Sequence, residues 1–123
     1  MTRPIPTIPS GLDTPVTLIN AFTVDMAKEE RFLARWRDNA RVLATAPGFI
    51  GARMMRAVSD KAELTFINVA EWESGVALDE AHRNPEWIAA ARRFLDDPEF
   101  ADAKVRPMQY QAVITVKPGD TLR

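Results

Sequence analysis

Two asparagines, one tryptophan, the single histidine and a pair of arginines are the side chains of this 123-residue sequence best suited to chemistry. Asn20 stands between Leu18 and Phe22 on one face of an alternating run, and Asn68 stands on one face with Phe66, Ala70 and Trp72 in another. A buried carboxamide must find hydrogen-bond partners or cost roughly a few kcal/mol, so either the protein satisfies these two or a ligand does. Trp72 carries a large apolar body and one indole N–H, and serves as corner packing or as a donor. His82 falls at helical steps from Leu78 and Ala81. It is either a general base near neutral pH or a hydrogen bonder at a helix kink. Arg92 and Arg93 follow on the same helical run, where a solvated face explains both and at most one turns inward. Amide, indole and guanidinium groups in an apolar wall are donors that a bound ligand could use.

The composition narrows the chemistry further. Zero cysteines exclude disulfides, thiolate zinc sites and a cysteine nucleophile, and one histidine excludes a multi-histidine metal centre; no metal site is expected. No glycine-rich loop suits the phosphates of a flavin or nucleotide. Sixteen basic residues against seventeen acidic ones give a formal charge of −1, without the electrostatic footprint of a nucleic-acid binder. The longest stretches free of charge, Thr14 to Val24 and Val42 to Ala52, run eleven residues each, below the roughly 18 that cross a bilayer. The N-terminus has prolines where a secretory signal has an apolar core, so neither membrane nor export is expected and a cytoplasmic location is the default.

The elements that must position these residues are legible from periodicity. Four of the nine prolines fall in the first fifteen residues, and residues 1–14 read as an extended arm ahead of a domain at 15–118 and a short tail at 119–123. Val16 to Val24 is rich in β-branched and aromatic residues and reads as strand one. Asp25 caps a helix with apolar positions Met26, Leu33, Trp36, Ala40 and Leu43, which ends at Ala46-Pro47-Gly48. Phe49 to Val58 and Glu63 to Glu73 form an antiparallel pair joined through Ser59-Asp60-Lys61. Ser74 caps a short helix through Ala81, and Asn84-Pro85-Glu86 restarts it. Pro107 to Val116 alternates Met108, Tyr110, Ala112, Ile114 and Val116 and reads as the last strand. The order βαββαβ is the ferredoxin-like α+β unit, a four-stranded antiparallel sheet with its helices on one face. The opposite face would carry Thr17, Ile19, Ala21, Thr23, Thr65, Ile67 and Val69, too apolar to stay wet, which predicts a homodimer joined sheet to sheet.

In order and spacing, Val16 to Phe22, then Ala46-Pro47-Gly48-Phe49 after a helix, then Phe66 to Ser74 resemble the antibiotic biosynthesis monooxygenase domain over roughly Thr14 to Val116. The resemblance implies a dimeric α+β barrel with a cleft between sheet and helices. It also implies roles: in cofactor-free members similar to anthrone monooxygenases, an Asn four residues before a Trp on strand three and an Arg on the second helix match Asn68, Trp72 and Arg92. The Tyr such enzymes carry six residues after the Trp is Leu78 here. Heme-degrading members resemble the chain at Asn20, while the positions of their helix Trp and iron-ligating His fall on Ala81 and Ala91, with His82 next to the first.

The function so implied is oxidation of an anthrone, hydroquinone or phenol by molecular oxygen, with no cofactor. Asn68, Trp72, Arg92 and His82 would be its catalytic groups, and Asn20, Phe22, Phe66 and Leu78 would hold the small aromatic substrate. The alternatives are a heme-binding or heme-degrading oxygenase, and a noncatalytic binding or ring-closing protein of the same fold.

Overall fold

The β-branched and aromatic run Val16–Thr23 forms β1, the strand on which the rest of the sheet is assembled. A computed structural model describes residues 3–122; Met1 and Thr2 of the expected arm and Arg123 of the tail lie outside the described residues. β2 (Phe49–Arg56), β3 (Phe66–Trp72) and β4 (Lys104–Tyr110) complete an antiparallel sheet in the order β2-β3-β1-β4. The helices are α1 (Glu29–Leu43), α2 (Gly75–Ala81) and α3 (Pro85–Leu95). This is the ferredoxin-like βαββαβ arrangement with the helices on one face of the sheet.

Local chemistry sets the element boundaries. Ser74 Oγ accepts from the Ala77 N–H to start α2, and Asn84 Oδ1 accepts from the Glu86 N–H at 2.8 Å to start α3 with Pro85 in its first turn. Asp25 accepts from the Ala27 N–H, but it opens a single 3₁₀ turn, Met26–Lys28, before α1 begins at Glu29. Met26 is therefore exposed, and the buried centre of α1 is Phe32, one position from the predicted Leu33.

The last strand differs from expectation. It begins at Lys104, three residues before Pro107, and ends at Tyr110. Pro107 is tolerated because β4 is an edge strand, where every second N–H faces away from the ladder. The strand stops because its partner runs out: Tyr110 pairs with Thr17, and Pro15, two residues before Thr17, has no N–H to offer. The apolar alternation beyond Tyr110 leaves Val113, Ile114 and Val116 exposed. The β2–β3 connection is also longer than the predicted hairpin, since β3 begins at Phe66.

Period-two alternation sends Val16, Leu18, Asn20 and Phe22 of β1, and Phe66, Asn68, Ala70 and Trp72 of β3, toward the helices. They seed two apolar clusters. One gathers Phe22, Phe32, Phe66, Phe94 and Phe100, with Phe32 at 4.7–6.5 Å from the other four rings. The other packs Val16, Leu18, Ala70, Trp72, Leu78 and Ala81. Ile19, Ile67 and Val69 point to the opposite, helix-free face, where Met55, Met108 and Tyr110 are exposed. No helix of the described residues is long and apolar enough to cross a membrane.

Candidate active site

Asn20 and Asn68 are directly paired across β1 and β3, so the two carboxamides share the middle of the inward sheet face, between the two apolar clusters. A cleft opens above them. Its roof comes from α1 through Phe32, Arg35, Trp36, Asn39 and Leu43, and from α3 through Trp87, Ala91, Phe94 and Leu95, both sets at helical spacing. His82, in the bend between α2 and α3, closes one end. Counted out into the solvent at its mouth, the cleft has ≈ 660 Å³ of empty space.

Three of the polar atoms in this cleft are buried and unpaired. The carboxamide oxygens of Asn20, Asn39 and Asn68 are buried without a hydrogen-bond partner, although all three residues line the cleft. Buried amides in a folded protein are almost always satisfied, so three unpaired oxygens around one cavity are open to water or to a polar ligand. Each amide offers two N–H donors and a carbonyl acceptor, and a half-turn of its end group exchanges them. The cluster can accept a hydrogen bond from a hydroxyl and then donate to the oxygen once its proton has gone.

His82 lies against Trp87, ring centroids 4.4 Å apart and tilted by 32°. Burial drives its pKa down to about 4, a shift only partly opposed by the negative charge of Asp79. The imidazole is thus neutral at pH 7: it accepts a hydrogen bond, and it is a weaker base than its ordinary pKa suggests. At the mouth, Arg35 donates to Asp97 at 2.9 Å. The Glu99 backbone N–H, followed by Arg35, holds the Asp97 carboxyl below its usual range.

Of the residues predicted from sequence, the structure brings Asn20, Phe22, Asn68 and His82 to the cleft. Phe66 lies in the floor cluster, 4.7 Å from Phe32, without lining the cleft. Leu78 is fully buried in the second cluster. Trp72, also fully buried there, meets Phe49 edge-on at 5.2 Å, and its indole N–H has no partner. Arg92 donates to the backbone oxygen of Arg3 and to Asp96, so its guanidinium serves the N-terminal segment and not the cleft. Sequence reasoning missed Arg35, Asn39 and Trp87 as cleft residues. The signal was present in Asn39, a polar residue seven positions after Phe32 and three after Trp36, on the buried stripe of α1.

A ferredoxin-like sheet covered on one face by helices, with an aromatic, amide-lined cleft between the layers, defines a class of α+β barrel proteins. The chain belongs to the antibiotic biosynthesis monooxygenase family, which matches residues 15–93, and whose fold is a dimeric α+β barrel. Among solved structures it is similar to SnoaB, a cofactor-independent oxygenase from Streptomyces nogalater. The identity is 25%, over 84% of this chain and 97% of that one, with a TM-score of 0.66. It is also similar to a heme-degrading protein from Mycobacterium tuberculosis at 26% identity, covering 85% of this chain and 100% of that one, TM-score 0.60. A variant of MhuD with two manganese protoporphyrin IX molecules per active site matches at 27% identity, over 83% of this chain and 98% of its own, TM-score 0.63. No curated protein matches the sequence.

Proposed function

We propose that the cleft binds an electron-rich aromatic of phenol or hydroquinone type and directs its oxidation by molecular oxygen without a bound metal or flavin. The observation that carries this reading is the set of three unpartnered carboxamides, Asn20, Asn39 and Asn68, in a cavity walled by Phe22, Phe32, Trp36 and Trp87. Similarity to a cofactor-independent oxygenase supports it.

Triplet oxygen reacts slowly with closed-shell molecules, but an aryloxide or enolate can pass it one electron. The protein's task is to hold the ring flat, favour loss of the hydroxyl proton, and keep water out. The aromatic walls do the first. Donors from Asn20, Asn39 and Asn68 favour the oxyanion in a poorly solvated site, where each is worth more than in water. The neutral His82 imidazole accepts a hydrogen bond from the substrate hydroxyl, takes its proton, and returns it to the peroxide oxygen formed later. The resulting ring radical and superoxide combine to a hydroperoxide, which loses water to leave a carbonyl. One oxygen atom enters the product and the other leaves in that water.

The residues do not fit heme. Ala91, at the position the resemblance gives to an iron ligand, lines the cleft with a methyl group, and the one imidazole lies tilted against Trp87. Titrating the metal-free protein with hemin tests this directly: no stoichiometric Soret shift is expected, and tight one-to-one binding abolished by His82→Ala would replace this reading.

The helix-free sheet face supports a second part of the proposal, a homodimer. Ile19, Ile67 and Val69 form its centre with Met55, Met108 and Tyr110 nearby, and Arg53, Glu71 and Arg106 stand among them, an apolar patch with charged edges of the kind found at interfaces.

A further inference from the structure

Residues 3–14 lie outside the segment that matches the family. Yet they complete the cleft. Ile5 and Pro6 line it, and Ile5 packs on the phenylalanine cluster. The segment is tied down on both sides of this pair. On one side Arg3 donates to the backbone oxygens of Ala103 at 2.5 Å and Phe100 at 3.1 Å, and its own carbonyl accepts from Arg92. On the other, the buried Asp79 carboxylate accepts from the Ser10 and Gly11 N–H groups, the latter at 2.8 Å, and from Gln109, which also donates to the Ile8 oxygen at 3.0 Å. The Val76 N–H donates to the Leu12 oxygen at 2.9 Å. Gly75 lets the strand of chain pass, since a Cβ there would sit 2.0 Å from Ser10 Oγ. Pro4, Pro6 and Pro9 fix φ at three positions and lower the entropy cost of holding an extended strap in place.

The arm thus adds to the sheet and the two helices a wall that the family segment itself does not supply. A cleft bounded by this third wall takes a shorter ligand than one left open along that side. We propose that the N-terminal arm is the size filter of the site: Ile5 and Pro6 restrict it to single-ring phenols and hydroquinones and exclude tricyclic substrates. The proposal rests on the reading of the cleft as a site for an electron-rich aromatic.

The test is anaerobic calorimetric titration, which reads binding without turnover. Methylhydroquinone and a dihydroxyanthraquinone are compared on the wild type, on Ile5→Ala/Pro6→Ala, which removes the wall, and on Arg3→Ala, which unhooks it from outside the cleft. The wild type should prefer the single ring by at least about tenfold, and both variants should shift the ratio of dissociation constants toward the three-ring compound by about tenfold or more. If the double variant fails to fold, Arg3→Ala decides. Equal binding of the two compounds by the wild type, or a ratio unmoved in the variants, overturns the filter. Binding of neither compound by any form overturns the aromatic-site reading itself, and the filter with it.

Discussion

Asn20 and Asn68 face each other as a direct cross-strand pair at the centre of the sheet, and neither carboxamide oxygen has a protein partner. Two desolvated amides in register are a cost that folding alone does not recover. Replacing one with an apolar residue of similar size should therefore leave stability unchanged or raise it by about 1 kcal/mol. Urea unfolding of Asn68→Leu measures this. A loss of several kcal/mol would mean that the amide is satisfied within the protein and is structural.

The low pKa of His82 makes stability depend on pH in a defined window. Between pH 6.5 and about 4 the unfolded imidazole is protonated while the folded one stays neutral, so the unfolded state binds more protons. Stability from this group is complete above pH 6.5 and is lost as the pH falls toward 4, by roughly 3 kcal/mol at most. Denaturant unfolding at pH 7 and pH 4.5 should show this loss in the wild type and a smaller one in His82→Gln. Identical pH dependence in the two proteins would place His82 in contact with water.

Trp72 separates packing from chemistry. Its ring is fully buried beside Phe49 and does not line the cleft. Trp72→Phe should retain the wild-type rate per folded protomer, measured by oxygen uptake normalised to the folded fraction from circular dichroism. A rate loss of about tenfold or more in well-folded protein would put the indole N–H on the substrate.

The apolar outer face of the sheet predicts association. Light scattering at micromolar concentration should give twice the chain mass of 13.8 kDa. Val69→Arg, at the centre of that face, should return the protein to the monomer mass with its circular dichroism unchanged. A wild-type monomer would remove the dimer from the account.

The order of elements was legible because β1 and β3 alternate cleanly and because Ser74 and Asn84 cap the helices they precede. The end of β4 was not. Apolar alternation continues past Tyr110, and only the pairing register, with Pro15 just beyond Thr17, shows that the ladder has no further partner. The cleft was half legible. Asn20 and Asn68 announced themselves as polar residues on apolar strand faces, whereas Asn39 and Arg35 are placed in the cleft only once Phe32 fixes the phase of α1. Arg92 could not be assigned from spacing alone, because its partner, the Arg3 carbonyl, is 89 residues away and belongs to an arm that periodicity does not place. The role of Ile5 and Pro6 as cleft wall was invisible for the same reason.

The most direct test of the central claim is oxygen uptake by chelator-treated, flavin-free protein supplied with methylhydroquinone, with labelled oxygen to trace the product. The account predicts enzyme-dependent uptake, one labelled atom in the quinone product, and a fall of about 10²-fold in Asn68→Ala that retains its fold. Uptake no faster than spontaneous autoxidation, or an undiminished rate in Asn68→Ala, would contradict it.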